Sequence, residues 1–115
     1  MHTRTPLTLL KSLLCTAAIG ALVASCAPLD KAAPPVATLT LPKKANLKQL
    51  EEGRQVYATS CTHCHGPARV DRHGSNDRWT QKIMPSMCVK SKLTAEQSVA
   101  VTAYVMAARK SLGAQ

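Results

Sequence analysis

Cys61-Thr62-His63-Cys64-His65 forms a single C-x-x-C-H, and this spacing restricts the fold of the chain more than any other string in it. Two thiols three residues apart, followed at once by an imidazole, are spaced to bond the vinyl groups of one haem and to bind its iron. The motif therefore predicts one covalent haem c held by Cys61 and Cys64, with His65 as the proximal iron ligand. A structural zinc module is the rival reading, since Cys61 and Cys64 are correctly spaced and His65, His73 and Cys88 would complete a tetrahedral shell. Closed zinc sites usually draw on a second tight ligand pair, and His73 and Cys88 stand apart without one.

The segment from Leu47 to Gln115 is small for a self-sufficient core, and the chain contains no Phe. A haem supplies the missing apolar bulk, so the sequence predicts a cofactor-free chain that is largely unfolded. The periodicity is helical. Leu47, Leu50, Val56 and Tyr57 alternate with Lys48, Glu51, Glu52 and Arg54, which predicts an amphipathic helix over Leu47 to Thr59. A middle helix is expected from Arg78 to about Met87, with Pro85 as a break or bend. Thr94-Ala95-Glu96-Gln97 has the form of a capping box and starts a last helix with Ala100, Tyr104, Ala107 and Ala108 on one face. Arg109 and Lys110 near its end suit the helix dipole.

Residues 1–25 read as an export signal. Arg4 and Lys11 precede an apolar, small-residue run from Ser12 to Ser25, which is of signal-core length and short for a membrane span. Val23-Ala24-Ser25-Cys26 resembles a bacterial lipobox, which implies that Cys26 becomes the lipidated first residue of the mature chain. An ordinary cleavage site with an incidental Cys26 is the plainer alternative. The resemblance implies the periplasmic side of a bacterial membrane, and Ala27 in place of an acidic residue permits the outer membrane in some bacterial groups. Residues 26–46 carry Pro28, Pro34, Pro35 and Pro42 among Ala, Thr and Lys, and read as a lipidated cysteine with a Pro-rich tether reaching at most roughly 60 Å at 3.1 Å per residue. Residues 47–115 are the globular domain.

Of the five cysteines, Cys15 leaves with the signal, Cys26 takes lipid and Cys61 and Cys64 take haem, so Cys88 is the odd thiol. A small buried apolar side chain is its plain reading; iron ligation, a redox-linked ligand switch, oxidation or an intermolecular bridge are the others.

Loss of residues 1–25 removes Arg4 and Lys11 but no acid, so the formal charge falls from +9 to +7. A surface this basic steers encounters with acidic redox partners and anionic membranes. Nucleic acid is excluded as a partner. An exported, tethered chain does not meet it, and Tyr57, Trp79 and Tyr104 are the only aromatic side chains for base stacking.

With these residues placed, the domain resembles a class I c-type cytochrome over essentially all of Leu47 to Gln115. The likeness extends past C-x-x-C-H to Gly53-Arg54-Gln55-Val56-Tyr57, followed by three residues and then Cys61, and to Tyr104-Val105. It implies an all-α, small cytochrome c fold with three main helices packed around the haem. Gly53 would let the last helix cross closely, as the missing Cβ allows. A methionine between the middle and last helices is implied as the distal iron ligand, which leaves Met87 and Met84; three residues apart, they share a helix face. Met87 is preferred and Met84 is the alternative. Trp79 resembles a residue that hydrogen-bonds a haem propionate through its indole N–H, and Arg69, Arg72 and Arg78 are candidates to neutralise the propionates.

The function these expectations describe is a membrane-tethered one-electron carrier, or an electron-accepting subunit, working between extracytoplasmic redox proteins. No small-molecule substrate and no catalytic residue are expected, because the sequence offers neither an acid–base pair nor an activated nucleophile. A haem enzyme or gas sensor with an open distal site is the competing class.

Overall fold

The computed structural model describes residues 27–65 and 69–115, with the side chains of residues 27, 28 and 65 left aside. The export signal and Cys26 lie outside the described residues. The fold is all-α, without a strand among those residues. Helices α1 (Ala27–Ala32), α2 (Leu47–Val56), α3 (Thr62–His65), α4 (Asn76–Arg78), α5 (Met84–Lys90) and α6 (Ala95–Ser111) follow in order. No helix among the described residues is long and apolar enough to cross a membrane.

Helix α2 starts at Asn46, whose side chain accepts from the Gln49 N–H at 3.1 Å, which satisfies one of the free N–H groups of the first turn. Its buried face is Leu50, Gly53 and Val56. Helix α6 starts on the expected capping box: the Gln97 N–H donates to Thr94 Oγ1 at 3.2 Å, and the Thr94 N–H to Gln97 Oε1 at 2.9 Å. It stops at Gly113, whose φ of 80° lets the Ala114 N–H reach the Arg109 carbonyl at 2.9 Å and its own N–H reach Lys110 at 3.1 Å. Helices α2 and α6 make the most extensive contact in the fold. They meet through Gly53, Ala100 and Tyr104, and Val101, Tyr104, Val105 and Ala108 are wholly buried beneath them.

Two helical stretches run differently from expectation. The first helix does not end near Thr59, because a wide π turn at Tyr57–Cys61 carries it into α3, closed by the Thr62 N–H on the Tyr57 carbonyl. A second π turn, Trp79–Ile83, joins α4 to α5 and is closed by the Met84 N–H on the Trp79 carbonyl. Pro85 follows at the start of α5. It brings no N–H, and the i→i+5 pairing ahead of it absorbs the missing donor, so the helix continues past the expected break or bend to Lys90.

The tether also differs from expectation. From Leu29 onward it is docked on the domain. Ala32, Ala33 and Val36 are buried, and Leu29, Leu39 and Leu41 pack on the same core. Tyr104 Oη donates to the Pro34 carbonyl at 2.8 Å and Arg54 Nε to the Ala33 carbonyl at 3.2 Å, while Arg54 also pairs with Asp30. The Val70 N–H meets the Ala32 carbonyl at 3.3 Å, and the Thr40 N–H meets Ser111 Oγ at 2.9 Å. Prolines keep this segment from forming long helices, yet they leave its carbonyls free to accept bonds from the domain.

Candidate functional site

Both π turns open onto one cavity of about 420 Å³, lined by Tyr57, Cys61, His73, Trp79, Ile83, Met84 and Met87. Its size falls within the roughly 300–1,000 Å³ typical of cofactor sites. The two ends of each π turn, Tyr57 and Cys61 in one, Trp79 and Ile83 in the other, all contribute to the wall. The members of each pair stand four residues apart and so lie on one side of their helix.

Of the residues singled out in the sequence, Tyr57, Cys61, His73, Trp79, Met84 and Met87 share this cavity. Cys64 lies on the exposed side of α3. The His65 backbone ends α3, and its side chain lies outside the described residues, as does Cys26. Cys61 is half-buried, and burial first, then the neighbouring Cys88 and Cys64 thiols, push its pKa up to about 11. It is therefore a protonated thiol at neutral pH. Cys88 is buried in the core beside Met84, in keeping with its plain reading.

The two methionines differ in their packing. Met84 belongs to the buried core and is 3% exposed, whereas Met87 lines the cavity without joining that core. Helix phase alone gives them one face, and burial separates them.

Trp79 is 8% exposed, and its indole N–H donates to the Arg72 carbonyl at 2.9 Å. A propionate would have to displace that carbonyl to receive the indole bond. Arg69 is bound to Asp71, with Nε on Oδ1 at 2.9 Å and Nη2 on Oδ2 at 2.5 Å, and this contact holds the Asp71 carboxyl below the usual carboxylate range.

Sequence reasoning missed Arg109. Assigned there to the helix dipole, it is 0% exposed and stacks over Trp79, its guanidinium carbon 4.7 Å from the ring centroid. Nη1 donates to the carbonyls of Val70 at 2.6 Å and Arg72 at 3.0 Å, Nη2 to Gly74 at 2.6 Å, and Nε to Asn76 Oδ1 at 2.9 Å. The guanidinium thus gathers the loop Val70–Asn76 around itself. His73 stands in that loop at φ 70°, next to Gly74 at φ 107°, and reaches the cavity mouth. A cation two residues before a helix end carries no signal that four oxygens from a distant loop converge on it.

The residues present suit a haem. An apolar slot with aromatic walls has at its edges the thiol of Cys61 and the thioethers of Met84 and Met87, the donor types that c-type haem uses. No buried side-chain nitrogen or oxygen among the described residues lacks a hydrogen-bond partner. Among those residues no group of three or more His, Cys, Asp and Glu side chains is assembled to hold a metal ion. Comparison with protein-family models, with curated proteins and with solved structures finds no match to this chain.

Proposed function

We propose that this chain is a lipid-anchored, single-haem c-type cytochrome that carries one electron at a time between extracytoplasmic redox partners, as a free carrier or as the electron-accepting subunit of an oxidoreductase. The observation that carries the reading is the apolar cavity that Cys61 of the C-x-x-C-H shares with Trp79, Met84 and Met87.

When bound, the haem supplies a ferric–ferrous couple. Cys61 and Cys64 would hold it by thioether bonds, and His65 would bind its iron. Met87 would supply the further iron ligand, which a cavity-lining thioether not committed to the core favours, while Met84 belongs to the buried core. Tyr57, Trp79 and Ile83 would keep water from the cofactor, and a methionine ligand in a dry site would favour a high reduction potential.

Lipidated Cys26 would hold the domain close to the bilayer, because the chain is docked on the helices from Leu29 onward. The basic surface steers acidic redox partners toward it. Mass spectrometry of the export-matured protein tests the assignment. The account expects one haem and one diacylglycerol-type modification, on peptides containing Cys61–Cys64 and Cys26 respectively; an unmodified Cys61–Cys64 peptide would refute it.

A further inference from the structure

We propose that Arg109 is a positioning residue whose buried charge, stacked on Trp79 at the cavity wall, raises the reduction potential of the bound haem. The inference rests on the haem reading above. It starts from a mismatch: a guanidinium at 0% exposure normally sits on a carboxylate, yet the four acceptors of Arg109 are three backbone carbonyls and the Asn76 amide oxygen. Asp71 is the acid whose field reaches it, and that carboxylate is already taken up by Arg69. The positive charge is thus hydrogen-bonded but not neutralised. An arginine keeps its proton under all ordinary conditions, so the charge is permanent.

Its location gives the charge a function. Trp79 lines the cavity, and Arg109 covers its ring at 4.7 Å, so little more than the indole stands between a fixed cation and the cofactor. Apolar walls screen such a charge poorly. One electron arriving from a redox partner lowers the charge on the iron by one, and a nearby cation favours that reduced state, which moves the potential upward. The same guanidinium holds the carbonyls of Val70, Arg72 and Gly74 and thereby fixes the loop that carries His73 to the cavity mouth.

The test is a redox titration of the haem-loaded protein with Arg109→Gln, Arg109→Lys and Asn76→Asp. Arg109→Gln should lower the potential while the absorption spectrum keeps the same iron ligands. Arg109→Lys, which keeps a charge but loses the planar fork, should recover most of the lost potential even though it melts earlier than the parent. Asn76→Asp leaves the guanidinium in place and sets a carboxylate against Nε, so it too should lower the potential; it decides the matter if Arg109→Gln does not fold. An unchanged potential in Asn76→Asp, or equal shifts in the Gln and Lys variants, would overturn the proposal while leaving the haem reading intact. Absence of haem bands from the parent protein would overturn both.

Discussion

Gly53 passes so close to Ala100 that a Cβ built on it would lie 2.0 Å from the Ala100 carbonyl oxygen and 2.7 Å from Tyr104 Cβ. Both contacts are to atoms that cannot rotate away. Gly53→Ala must therefore push α2 off α6, the largest interface of the fold, and should cost about 3 kcal/mol or more. Denaturant unfolding of the haem-loaded protein gives the value; a loss below about 1 kcal/mol would show that the helices separate easily.

That crossing was legible from Gly53 and Tyr104, and the start of α6 from Thr94 and Gln97, because a missing Cβ and a capping box act locally. The docking of the segment after Leu29 was not. Its prolines and alanines describe an extended linker, and the groups that fasten it, Arg54 and Tyr104, lie far along the chain. The π turns divide in the same way: Pro85 signals an irregular helix, while nothing in Tyr57–Cys61 does so. The cysteines and methionines of the site were readable as chemistry, whereas the separation of Met84 from Met87 depends on which of them the fold buries.

Tyr104→Phe removes the hydroxyl that donates to the Pro34 carbonyl at 2.8 Å and should destabilise by about 1 kcal/mol. The more specific consequence is local. Trypsin should cut after Lys31 several-fold faster than in the parent, since that exposed residue adjoins buried Ala32 and Ala33. Unchanged cleavage would mean that the contacts from Arg54, Val70 and Ser111, with the burial of Ala33 and Val36, secure the segment without the Tyr104 hydroxyl.

Lys92 follows α5 at φ 53°, with its N–H on the Val89 carbonyl at 3.0 Å and the Leu93 N–H on Cys88 at 3.1 Å. A left-handed conformation strains any residue with a Cβ. Lys92→Gly relieves the strain against the greater freedom of glycine in the unfolded chain, and should stabilise by about 0.5–1 kcal/mol. A lowered melting temperature would contradict this reading of the cap.

The two methionines predict opposite phenotypes. Met87→Ala should leave the protein folded and let carbon monoxide bind the ferrous form rapidly. Met84→Ala should keep the iron ligands and lose about 2–5 kcal/mol of stability, as expected for truncating a buried core side chain. Reversed results would assign the distal position to Met84.

The visible spectrum of the export-matured protein, recorded oxidised and then dithionite-reduced, reads the haem and its iron ligands together. The account predicts a low-spin c-type spectrum with the weak far-red band of methionine-sulfur ligation in the oxidised form, and no rapid carbon monoxide binding after reduction. A high-spin spectrum that takes up carbon monoxide at once would replace the carrier with a gas-binding protein, and a spectrum without haem bands would contradict the account altogether.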